Sequence, residues 1–168
     1  MINERNFVIA SILQLKQCWP STDLVTPYDK LDLSIVPGPL TLNDRAVSFD
    51  DHDVVEYPPE HFAEAVLAVP NSRCLSLPNA SWWEWKAQHD APDGYIKMDM
   101  TLFETDPPSW GGSLLDVRCS AASLLAFWLV VRQSCPATWL HDTTCKLYSP
   151  ETFRQLYVHP AAGWPNPR

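Results

Sequence analysis

Ser120-Ala-Ala-Ser-Leu-Leu-Ala-Phe-Trp-Leu-Val-Val-Arg-Gln-Ser-Cys-Pro136 is the most conspicuous stretch of this chain. No charge falls between Arg118 and Arg132, and no polar stripe interrupts Leu124 to Val131, so a helix here is expected to be covered on nearly all sides. Ser120 can cap its start, and Pro136 ends it by removing a backbone donor. The run falls short of the about 20 apolar residues that a membrane span needs, which places it in the centre of a core.

Outward from that helix, the pattern is one of short strands. Tyr95 to Phe103 alternates Ile96, Met98, Met100 and Leu102 with Lys97, Asp99 and Thr101, the mark of a strand with one wet face. Ser113 to Arg118 is its expected antiparallel partner, reached through Glu104 to Gly112. Leu31 to Ile35 alternates and stops at Pro37-Gly38-Pro39. Asn6 to Leu15, Arg45 to Phe49, Asp53 to Tyr57, Arg73 to Leu77 and Cys145 to Tyr148 are further strand candidates, the second and third able to pair as a hairpin and the fourth read as short and buried. Thr138 to His141 is a short segment between the long helix and Cys145, and the conformation of Ser81 to Gln88 stays open.

Two more helices carry clear start signals. Pro58-Pro59-Glu60 opens one whose Phe62, Val66 and Val69 would face inward, and Ser149-Pro150-Glu151 opens another with Phe153, Leu156 and Tyr157 on its apolar face. The expected fold is α+β: a mostly antiparallel sheet of five to seven short strands packed against two or three helices, with residues 120–134 as the central buried helix. With 168 residues, one globular domain over 1–168 is expected, ending in a loose Pro-rich tail at 161–168.

Composition narrows the function classes. Sixteen prolines and five glycines suit irregular loops better than a helix bundle. Cys18, Cys74, Cys119, Cys135 and Cys145 form an odd set without a C-x-x-C pair, which predicts reduced thiols rather than a disulfide framework. The N-terminus shows no signal-peptide pattern, and both features predict a cytoplasmic protein.

The charge is unevenly placed. Residues 1–43 hold four acids and three bases, and residues 65–168 hold nine acids and eight bases, so −6 of the net −8 falls within residues 44–64. There Asp44, Asp50, Asp51, Asp53, Glu56, Glu60 and Glu64 face only Arg45. Such a block reads either as a solvated face or as a surface that steers and holds a positively charged protein. It repels phosphates, which argues against nucleic acid. Eight tryptophans are also many for a core of this size, and Trp82, Trp83, Trp85 and Trp110, beside turns and charges, are candidate interface anchors as well as candidate core residues.

Catalytic patterns are sparse. His52-Asp53, His89-Asp90 and His141-Asp142 could serve a small metal-dependent hydrolase, yet no outlying histidine stands at helical spacing to complete a ligand set. A nucleophilic Cys135 or Cys145 with His141 and Asp142 can also be drawn, and buried packing is the plainer reading of such cysteines. There is no G-x-G-x-x-G, Walker loop, G-x-S-x-G or H-E-x-x-H, and no cofactor or metal is expected.

Small, acidic, rich in aromatics and without a catalytic signature, the chain resembles in overall character the immunity proteins of interbacterial toxin systems. The resemblance implies a stoichiometric inhibitor whose acidic strip and aromatic anchors cover a basic surface on a cognate toxin such as a nuclease. It implies no nucleic-acid or membrane partner. The alternatives are a hydrolase built on a His-Asp pair and a structural subunit of a larger assembly.

Overall fold

The computed structural model describes residues 26–37, 41–43, 46–48, 58–76, 85–103, 109–142 and 147–159. A 3₁₀ turn at Tyr28–Lys30 leads into β1 (Leu33–Pro37), followed by β2 (Thr41–Asn43), β3 (Ala46–Ser48), α1 (Pro59–Leu67), β4 (Ser72–Cys74), β5 (Lys86–Ala91), β6 (Gly94–Phe103) and β7 (Ser109–Arg118). The chain continues through α2 (Ala121–Ser134), β8 (Thr138–Asp142), β9 (Leu147–Tyr148) and α3 (Pro150–Phe153), which runs on as a π-helical turn at Arg154–Val158.

Seven strands form one antiparallel sheet in the order β4-β5-β6-β7-β1-β8-β9, and with the three helices this is an α+β fold. β1, early in the chain, lies between β7 and β8: Leu33 stands opposite both Leu115 and Asp142. β6 and β7 pair from Tyr95↔Arg118 to Phe103↔Ser109, with an irregularity between Thr101 and Leu102. The turn between β5 and β6 depends on Gly94, because a Cβ there would lie 1.6 Å from the Arg118 carbonyl oxygen.

Strand alternation puts Leu33, Ile35, Ala87, Ile96, Met98 and Met100 on the face that meets the helices. α2 lies over them, with Leu124, Trp128 and Val131 fully buried. Ser120 caps it as the sequence predicts, its hydroxyl accepting from the Ser123 amide at 3.2 Å. The expectation that α2 is covered all round is corrected: Ala122, Ala126 and Leu129 are exposed, because the sheet and α1 cover one side only. α1 packs inward through Phe62, Val66 and the following Val69, as its spacing predicts.

Other expectations shift. The Arg73–Leu77 strand is found at Ser72–Cys74, and Arg73 and Cys74 are exposed at the sheet edge rather than buried. β3 pairs with β2, Asn43 opposite Ala46, whereas the expected hairpin partner at 53–57 lies outside the described residues. So do the candidate strand at 6–15 and the tail at 161–168. β5 falls largely where the sequence is silent.

A second packing centre closes the β9 end. The rings of Tyr28, Tyr148, Phe153 and Tyr157 stand 5.2 to 6.2 Å apart, mostly edge to face. Tyr28 donates to the Cys119 carbonyl at 3.0 Å and Tyr157 to that of Thr26 at 2.8 Å, so both rings hold residues 26–31 against the body. Tyr148 also donates to the carboxylate of Asp142, which is 1% exposed. Among the described residues no helix is long and apolar enough to cross a membrane.

Candidate functional site

The acidic strip reaches the described structure at its C-terminal end. Pro58 and Pro59 start α1, and the inward pull of Phe62, Ala63 and Val66 turns Glu60 and Glu64 to solvent one helical turn apart. Like charges at this spacing repel slightly, and among the described residues no ion pair relieves either. His61, between them, meets the Ser134 carbonyl at 2.8 Å; a carbonyl only accepts, so Nε2 carries the proton and satisfies the end of α2. Asp44, Asp50, Asp51, Asp53 and Glu56 lie outside the described residues.

The tryptophans divide. Trp82 and Trp83 lie outside the described residues, and Trp110 sits on β7 opposite Leu102. Trp85 does not serve as a surface anchor. It is 6% exposed, its ring 6.2 Å from that of Phe62, and its carbonyl accepts from the Met100 amide, which fixes it under α1.

The described His-Asp pairs do not converge, for a reason the strands impose. Neighbouring residues of a strand point to opposite faces. His89 points to the helices, 4.9 Å from the Phe127 ring and 3.1 Å from the Ser72 hydroxyl, while Asp90 points away and accepts from Arg73 and Gln88. Those two hydrogen bonds hold the Asp90 carboxyl below its usual range, and burial lowers the basicity of His89. Likewise Asp142 turns inward to Tyr148, while His141 turns to the other face beside Ser34, 3.4 Å away. Burial lowers the His141 pKa as well, and its Nε2 is buried without a hydrogen-bond partner.

The two partly or fully buried cysteines among the described residues are poor nucleophiles. Burial pushes the Cys119 and Cys135 thiols up to about 11, which leaves almost no thiolate at neutral pH. Cys74 is exposed on β4, and Cys18, Cys145 and His52-Asp53 lie outside the described residues. Among the described residues no three His, Cys, Asp or Glu side chains gather as a metal site.

No protein-family model, curated protein or solved structure matches the chain. Its function must be read from its own surfaces.

The feature that the sequence reading passed over is the face of the sheet opposite the helices, which is open to solvent around Leu114. Across it run Lys86, Asp99, Leu114, Ser34 and His141, each opposite the next in the strand register. Leu114 is 59% exposed, the most of any described large hydrophobic residue. Around it, Lys86 pairs with Asp99 at 3.7 Å, Arg118 with Asp116 at 3.2 Å, and Lys97 stands 5.0 Å over the Tyr95 ring. The signal was present: in Ser113-Leu114-Leu115-Asp116-Val117-Arg118, Leu114 shares its parity with Asp116 and Arg118. Glu60 and Glu64 belong to the helix layer on the opposite side, so the structure does not join them to this face.

Proposed function

We propose that the chain is a stoichiometric protein-binding inhibitor of the immunity type, which holds a partner with a basic surface through the acidic residues between Asp44 and Glu64. The observation that carries this reading is the placement of Glu60 and Glu64. A helix could present any polar residues outward, and α1 presents two carboxylates one turn apart with no lysine or arginine anywhere along it. Together with the acids just before Pro58, they would form a negative surface that a basic partner neutralises. The separation of His89 from Asp90 and of His141 from Asp142 supports binding over hydrolysis by those pairs. Confinement to the cytoplasm and a toxin as the partner belong to the same proposal.

The test is co-expression with the product of the adjacent reading frame. Wild-type chain should relieve its toxicity and co-purify with it in a one-to-one complex. Reversing Asp50, Asp51, Asp53, Glu60 and Glu64 to lysine should leave the circular dichroism unchanged while slowing association, and the wild-type on-rate should fall as salt rises. Binding by the reversed chain as tight and as fast as wild type removes the strip from the interface. Absence of any effect on the neighbouring product removes the immunity reading itself.

A further inference from the structure

The outward stripe of α1 changes character along its length. At about 100° and about 1.5 Å per residue, Glu60, Glu64 and Leu67 fall within an arc of about 60° and span about 10 Å, on the side away from Phe62 and Val66. Phe62 and Val66 are fully buried, whereas Leu67 is 42% exposed. Ala68 and Pro70 beside it are exposed as well, so the stripe begins in carboxylates and ends in apolar surface. Exposure alone gives a leucine no role, and Leu75, Leu114 and Leu129 are exposed too. Leu67 is set apart by its charge environment. Leu75 and Leu114 flank the Lys86–Asp99 ion pair, and Leu129 lies one turn from Arg132. Around Leu67 every nearby charge is negative. No lysine or arginine occurs between Arg45 and Arg73, and Arg73 is held by Asp90. The last turn of α1 therefore has no base to offset the negative end of its dipole, which lies at Leu67.

We infer that Leu67 is the apolar anchor of the α1 interface and enters a hollow on the partner protein that is rimmed by arginine or lysine. The inference rests on the inhibitor reading above and names what that partner must present. Charge complementarity selects the occupant. Two carboxylates precede the leucine on its stripe and the negative helix end surrounds it, so a second copy of this acidic chain is repelled, as are the phosphates of a nucleic acid. An arginine fits both parts of the stripe: its stem lies along apolar surface while its guanidinium reaches a carboxylate. Anchors at i, i+4 and i+7 are the spacing by which a groove reads one face of a helix. The stripe also stands on a packed support, since Phe62 beneath it meets the Trp85 ring at 6.2 Å. The two halves of the stripe act on different rates: the charges govern how fast the partner arrives, and the buried leucine governs how slowly it leaves.

The test is surface plasmon resonance of the full chain over the immobilised product of the adjacent reading frame, at low and high salt. Leu67→Gln should speed dissociation about tenfold or more and leave association within about twofold. Glu60→Lys combined with Glu64→Lys should instead slow association and flatten its salt dependence. Leu67→Met should dissociate like wild type, and Leu114→Gln, on the opposite face of the sheet, should change neither rate. Should circular dichroism show Leu67→Gln to misfold, Leu67→Ala replaces it with the same expectation. Wild-type dissociation in these Leu67 variants, while the charge reversal still slows association, overturns the inference and leaves the inhibitor reading standing. Equal acceleration by Leu114→Gln overturns it as well. No complex with the wild-type chain, or a charge reversal that alters neither rate, removes the inhibitor reading and this inference with it.

Discussion

Thr138 offers a sharp test of how the helix layer is tied to the sheet. Its hydroxyl accepts from the Trp128 indole at 3.1 Å and donates to the Cys135 carbonyl at 3.2 Å, and all three residues are wholly buried. Thr138→Val keeps the shape and removes both partners, orphaning one donor and one acceptor. At about 1–3 kcal/mol for each orphan, with some relaxation, the expected loss is about 2–4 kcal/mol. Thr138→Ser keeps the hydroxyl and deletes one methyl, for about 1 kcal/mol. In a chain of this length the first change should lower the melting temperature by roughly 6–12 °C and the second by roughly 2–4 °C. Urea titration followed by far-UV circular dichroism is the assay, because eight tryptophans blur the fluorescence signal. If valine proves no worse than serine, hydrogen bonding at this node does not hold α2 to β8.

Three further outcomes follow from single sites. Gly94→Ala should cost about 2 kcal/mol or more, since its methyl collides with the Arg118 backbone; an unchanged urea midpoint would contradict the geometry of that turn. Burial lowers the folded-state pKa of both His89 and His141, so the unfolded chain takes up protons first, and stability present above about pH 6.5 should be lost as pH falls below it. His141→Leu, which removes the unpartnered Nε2, should cost little at pH 7.5 and flatten that decline; a steeper decline would refute the assignment. Iodoacetamide at pH 8 should label exposed Cys74 while Cys119 and Cys135, about one thousandth ionised, lag far behind by mass spectrometry of the folded chain.

Local signals in the sequence were reliable where one residue type has one physical use. Ser120 and Ser149 cap helices, Pro59 and Pro150 sit in first turns, and the Ile96-Met98-Met100 alternation lies on the core face of β6. Trp85 and the Arg73–Leu77 run were misjudged because exposure is decided by distant partners: α1 roofs the first, and the second is the edge strand, paired among the described residues with β5 alone. β5, Lys-Ala-Gln-His-Asp-Ala, has little strand propensity of its own and owes its conformation to β4 and β6 on either side. The uniform apolarity of α2 hid its open crest, because a helix pattern records which residues tolerate burial and not which side has a neighbour. For the candidate site, the acids could be counted in the sequence, yet their division from the Leu114 face depends on which layer each element joins.

The insertion of β1 between β7 and β8 sets the order in which this chain can be completed. Leu33 leaves the ribosome long before its partners Leu115 and Asp142, which follow 82 and 109 positions later. At about 5–20 residues per second, β1 waits on the order of ten seconds with both edges unpaired. Only after β8 has emerged can the strand be closed in on both sides, so the sheet is finished from its middle, and late. Moving the chain ends by circular permutation, so that β1 is synthesised after β9, would remove that wait without altering a single contact of the finished sheet.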